Sequence, residues 1–133
     1  MIALDTNVLV RYFVRDDAPQ TAVADSIIEN LTPRDPAFVG LLVLVELWWV
    51  LGVAYAIPTS DRRDVLTGLL DSEEIAVEDP DLVRSALRKV NHRTDFPDLL
   101  IAESAAQRGC TATVTFDKSA ARYAGMRFAS GVR

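Results

Sequence analysis

One cysteine, Cys110, and one histidine, His92, stand in a chain of 133 residues. A disulfide framework is thereby excluded, as is zinc held by several Cys or His ligands. Any metal bound here is held mainly by oxygen, which suits magnesium or manganese. A Ser-His-Asp set has only His92 to draw upon. Positive charge is also short: Asp plus Glu number 19 against 14 Lys plus Arg, for a formal net charge of -5. That balance argues against a protein whose main role is to coat nucleic acid by nonspecific phosphate attraction. It leaves room for an enzyme that approaches phosphate through metal ions and a local basic rim. Arg11, Arg15, Arg84, Arg88, Lys89, Arg93, Lys118 and Arg122 are the candidates for that rim. The first residues lack the basic and uninterrupted apolar stretch of a secretory signal, because Asp5 intervenes almost at once. A cytoplasmic location is the expectation.

What the sequence does have is an apolar run over residues 39–57 in which Glu46 is the only charge. An ionised carboxylate is costly to bury without a cation or hydrogen-bond partners. The run therefore needs either a membrane explanation or a partner for its acid. Its length is borderline for a span of about 20 residues. Glu46, Gly40, Gly52 and the amphipathic remainder favour a buried helix with no membrane partner.

Along the chain, residues 2–4 read as a buried strand ending at Asp5, with Thr6 or Asn7 capping a helix through residue 13. Helices follow over 19–31, 41–54 and 60–70, the last capped by Ser60. Strands are expected at 37–39 and 75–77. Asp79 before Pro80 starts a further helix, whose stripe is Leu82, Val83, Ala86, Leu87 and Val90. Thr94 or Asp95 opens a helix to residue 108, stopped by Gly109. Strands at 112–115 and 126–128 flank a short helix at 119–123. No repeat, linker or boundary interrupts residues 1–133, so one domain is expected. Short strands separated by helices predict a three-layer α/β/α sandwich with a short, mainly parallel central sheet of four or five strands. Ligands in such folds gather beyond the carboxyl ends of strands.

Asp5 and Asp117 fall at such ends, although each can also cap the following helix. Asp95 can cap its helix together with Asp98. Asp98 precedes Ile101, Ala102 and Ala105 at helical spacing, so it is expected on an apolar face. Glu46, among Leu42, Val43, Trp49 and Val50, is expected to face the core, where an Arg is the alternative partner. Two acids at strand ends and two on helices make a negative pocket if they converge. Close carboxylates disfavour mutual ionisation unless cations enter, and a divalent metal is the simplest remedy. Such an ion activates water and stabilises in-line attack on a phosphodiester. Asn7 and Thr115, with Thr6, can position water or a carboxylate. Trp48, Trp49, Tyr55, Tyr12 and Phe13 suit core packing or a subunit contact better than base stacking.

The whole chain resembles the PIN-domain ribonucleases, and within them the toxin subunits of bacterial VapBC toxin-antitoxin pairs. The resemblance rests on MIALDTNVLVRYFVRDD at 1–17, VLVELWWVL at 43–51, TDFPDLLIA at 94–102 and TVTFDKSAAR at 113–122, in the expected order. It implies that Asp5, Glu46, Asp98 and Asp117 are metal-binding and catalytic acids, with Asp95 an associated metal-site residue. It also implies that Asn7 and Thr115 are the polar residues beside the metal. A magnesium- or manganese-dependent endoribonuclease is the expected activity. A homodimer silenced by a cognate antitoxin is the expected assembly. A receiver-like magnesium module lacks its paired acids at Asp5, Thr6 and Asn7. A catalytically idle RNA-binding or structural subunit would tolerate neutralisation of Asp5 and Asp98.

Overall fold

The computed structural model describes residues 1–130. The chain forms two compact units, Met1–Pro80 and Asp81–Arg133. The first contains β1 (Ile2–Ala3), α1 (Thr6–Val14), α2 (Ala18–Glu29), β2 (Ala37–Val39), α3 (Leu41–Val53), α4 (Thr59–Asp71) and β3 (Ile75–Val77). Its strands form a parallel ladder in the order β1-β2-β3, with Ile2 opposite Ala37 and Ala37 opposite Ile75. Parallel neighbours need long crossovers, and paired helices supply them here: α1 and α2 between β1 and β2, α3 and α4 between β2 and β3. The middle strand is sealed at Ala37 and Val39. At β1, which has a ladder partner on one side, Ile2 is 51% exposed and burial begins only at Leu4.

The apolar run is helical, but it is not buried all round. Leu44, Leu47, Trp48 and Leu51 are the buried residues of α3, spaced at i, i+3, i+4 and i+7. With about 100° of rotation per residue, Glu46 points nearly opposite to that stripe. It is exposed, on the side that carries Leu42, Trp49 and Val53 to solvent. The expectation of a core-facing Glu46 is thus corrected: its carboxylate keeps its water, and no buried partner is required.

A cation does come to α3, at another place. Arg62 of α4 lies over the buried Trp48 ring at 4.4 Å and donates to the carbonyls of Trp48 (3.3 Å) and Ile57 (3.0 Å). A desolvated contact of this kind contributes about 2 kcal/mol. It also accounts for Gly52, since a Cβ there would stand 2.6 Å from the Arg62 Nη1.

The second unit comprises α5 (Pro80–Lys89), α6 (Phe96–Gln107), β4 (Val114–Thr115), α7 (Lys118–Tyr123) and β5 (Arg127–Phe128). The two strands pair in parallel, Val114 with Arg127 and Thr115 with Phe128. The expected stripe of α5 is buried, from Leu82 to Leu87, with Val90 just beyond. Beyond α6 the chain turns at Gly109, whose φ of +86° suits a residue without a Cβ.

Of the expected helix starts, one takes another of its candidate caps and one lacks its cap. Asp5, and neither Thr6 nor Asn7, is the cap of α1. Pro58 precedes α4 with no side-chain cap bond, so Ser60 does not serve there. At α3 the cap residue is Gly40, and the Leu41 amide donates to Glu78 Oε1 at 2.9 Å. Sequence spacing gives no hint of a cap supplied from 37 residues away. Among the described residues no helix is long and apolar enough to cross a membrane.

Candidate active site

In the first unit, the end of β1 and the faces of α1 and α3 enclose an open hollow of about 240 Å³. Helical spacing explains much of its lining. Asn7 and Arg11 are i and i+4 on α1, and Glu46 and Val50 are i and i+4 on α3. Asp5 enters from the strand end and Tyr55 from beyond α3. Asp5 Oδ1 accepts the Thr6 amide at 2.7 Å, and the carboxylate remains exposed. Asp5, Asn7 and Glu46 are therefore brought to one cavity, although they lie on three different elements.

Thr6 also borders the hollow, and its Oγ1 is buried with no hydrogen-bond partner among the described residues. A buried hydroxyl left unsatisfied costs about 1–3 kcal/mol. The sequence offers Thr6 either as a cap or, beside Asn7 and Thr115, as a residue that positions water or a carboxylate, and nothing in its spacing announces an orphaned hydroxyl.

The cation of this hollow is Arg11. Its Nε donates to Gln20 Oε1 at 2.6 Å, and its Nη1 donates to Asp16 Oδ1 at 3.0 Å and the Tyr55 hydroxyl at 3.3 Å. The Tyr55 hydrogen bond is the largest influence and raises the guanidinium pKa; burial opposes it, and the charge of Asp16 adds to the rise. The guanidinium charge is therefore permanent at any working pH. Tyr55 is thus a hydrogen-bonding residue of the hollow. Trp48 belongs to the core and Trp49 is 60% exposed.

The remaining predicted acids belong to the second unit. Asp98, on the first turn of α6, is half-buried beside the core residues Phe96, Leu99 and Leu100. Its forward neighbour Ile101 is 54% exposed, so the face it occupies is apolar as the spacing implied but less buried. Burial pushes the Asp98 carboxyl above its ordinary value, and the charges of Asp95 and Asp117 push in the same direction. Asp95 is the N-cap residue of α6 but makes no side-chain cap hydrogen bond, so the capping-box alternative does not account for it. Asp117 does cap: its Oδ1 accepts the Ser119 amide at 2.8 Å and the Ala120 amide at 3.2 Å. Thr115 Oγ1 accepts the Asp117 amide at 3.0 Å, which fixes the strand end that carries both residues.

Among the described residues no three His, Cys, Asp or Glu side chains are grouped as a metal cage. The oxygen donors of the first hollow nonetheless suit a hard cation. Magnesium keeps several waters and takes one or two carboxylates plus substrate phosphate in place of a full protein cage. Asp5 and Glu46 supply such a pair. The amide of Asn7 and the partnerless hydroxyl of Thr6 offer neutral oxygens beside it.

No curated protein matches the chain. The family model described as PIN domain does match, over residues 2–126, and so spans the segments that carry all the acids above. This nuclease-associated family has an α/β/α sandwich fold with a largely parallel sheet, in keeping with the parallel pairs of both units. The chain therefore belongs to the PIN-domain family.

Proposed function

We propose that this chain is a divalent-metal-dependent endoribonuclease that hydrolyses RNA phosphodiester bonds as the toxin of a toxin-antitoxin pair. Membership of a nuclease-associated family supports ribonuclease-type chemistry in general. The observation that carries the more specific reading is the hollow lined together by Asp5, Asn7 and Glu46, with Thr6, whose buried hydroxyl has no partner among the described residues, also in its lining. The four sequence segments resembling VapBC toxins support the toxin role and a cytoplasmic site of action.

In this reading Asp5 and Glu46 are the metal-binding acids of the first unit, and Asp98 and Asp117, with Asp95, are those of the second. The ion, when bound, neutralises phosphate charge and lowers the pKa of a water. Asn7 and Thr115 orient the polar groups around the reacting phosphate by hydrogen bonding. The half-buried carboxyl of Asp98, raised by burial and by two neighbouring acids, gains most from a nearby positive charge. The proposed partners are RNA, a second copy of the chain and a cognate antitoxin.

The test is cleavage of cellular RNA by protein freed of any partner, with sequencing of the RNA ends. Cleavage is expected only with Mg2+ or Mn2+, and Asp5→Asn is expected to remove it while circular dichroism shows an unchanged fold. Cleavage that persists in the folded variant would rule out this centre.

A further inference from the structure

Arg11 lines the hollow of Asp5, Asn7 and Glu46, yet its hydrogen bonds go to none of these three residues. Gln20, Asp16 and Tyr55 take its Nε and Nη1 hydrogens, while Nη2 carries no hydrogen bond among the described residues. The side chain keeps 28% of its surface exposed. Its ion pair is with Asp16, which is not among the residues lining the hollow, and not with Asp5 or Glu46. The guanidinium is held in a fixed plane by three neighbours from three places in the first unit, with one donor nitrogen uncommitted.

That arrangement suits a particular ligand chemistry. A planar fork with a free nitrogen binds a phosphate oxygen by charge-assisted hydrogen bonding. Holding the plane in advance lowers the entropy cost of each bond formed. In a chain of net charge -5, attraction of RNA has to come from individually placed cations, because the overall field repels it. An RNA strand also presents successive phosphates, so a metal held by the acids leaves the adjacent phosphate in need of its own partner.

We propose that Arg11 is a phosphate-anchoring residue of this hollow, receiving through Nη2 a phosphate next to the scissile one, with Tyr55, Gln20 and Asp16 as its positioning residues. The inference rests on the ribonuclease reading above and adds to it the residue that sets the strand's register. The alternative is that Arg11 merely ties α1 to α2 and to the segment after α3.

Binding of a short fluorescent single-stranded RNA decides between them, measured against salt concentration in the Asp5→Asn background so that the RNA stays intact. Adding Arg11→Ala is expected to weaken binding at low salt roughly tenfold. It is also expected to flatten the plot of log affinity against log salt by about 0.7, the share of one phosphate contact on a single strand. Arg11→Lys keeps a charge but loses the fork, so it should retain the slope and recover only part of the affinity. A merely structural role moves the melting temperature and leaves the slope in place. Unchanged slope and affinity in folded Arg11→Ala overturn the proposal. If that variant does not fold, unchanged affinity in Arg11→Lys overturns it instead. Absence of any RNA binding by both Asp5→Asn and the wild type overturns the ribonuclease reading itself, and this inference with it.

Discussion

The two units carry their acids in opposite settings. Asp5 and Glu46 are exposed on the rim of a hollow that also holds a fixed guanidinium, an amide and a hydroxyl. In the second unit Asp98 is half-buried and feels the negative charges of Asp95 and Asp117. Mixed donors and acceptors on an open surface suit binding and orienting a charged strand. Acids repelling one another at a partly desolvated position create demand for a cation. On the proposed reading, the first arrangement would provide grip and the second drive.

The sharpest way to break this comparison is to neutralise one acid from each unit. Asp5→Asn and Asp98→Asn are each expected to cut RNA cleavage by upward of about a hundredfold, because even a residue behind a metal ligand contributes roughly 10–100-fold. Rates at saturating Mn2+ provide the check. If Asp98→Asn cleaves at the wild-type rate, the second unit has no part in the chemistry and the contrast is only electrostatic.

Metal addition comes next in size. At a hundred times its dissociation constant, a cation that binds only the folded state adds about 2.7 kcal/mol of stability. Thermal melting with and without Mn2+ should show that gain in the wild type and a smaller one in Asp5→Asn and Asp98→Asn. A melting temperature indifferent to Mn2+ and Mg2+ would remove the proposed cofactor.

How much of this was legible beforehand follows from which forces are local. α5 announces itself by apolar spacing and α3 by the length of its apolar run, and Gly109 marks the stop of α6 through its positive φ. Asp98 was legible as an acid near the core because a helix period fixes its neighbours. The orientation of Glu46 was misjudged because every side of α3 is apolar in sequence, and packing alone decides which side is buried. Arg62 on Trp48, Glu78 at the start of α3 and Tyr55 on Arg11 join residues 14, 37 and 44 positions apart. No local pattern encodes such pairings. The i, i+4 relation of Asn7 and Arg11 was available in the sequence and would have placed Arg11 at the site once Asn7 was assigned there.

The pH dependence of Asp98 is a smaller effect with a definite sign. A carboxyl whose folded pKa lies above its unfolded value contributes stability when protonated. That contribution is complete below the unfolded pKa and is lost as pH rises through the folded one. Metal-free protein at neutral pH therefore carries an ionised, unfavourable Asp98. Asp98→Asn should be the more stable protein there, by less than about 1 kcal/mol given partial solvation. The advantage should shrink toward zero as the solution is acidified through the carboxylate range. Denaturant melts of both proteins at neutral and acidic pH test this, and an advantage for Asp98→Asn that grows on acidification would reverse the assignment.

Thr6→Val probes the first unit at the lowest amplitude and asks whether its orphaned hydroxyl is a defect or a ligand. The substitution keeps the shape of the side chain and removes a buried polar atom that has no partner. With metal absent, the protein should be unchanged or more stable by up to about 1 kcal/mol, since nothing formed is lost and a desolvation cost disappears. With Mn2+ present the order should invert, because the gain on metal addition then lacks one oxygen contact. A Thr6→Val protein that gains as much from Mn2+ as the wild type would make the hydroxyl a packing defect. A smaller gain would make the first unit, open as it is, a participant in holding the ion as well as the strand.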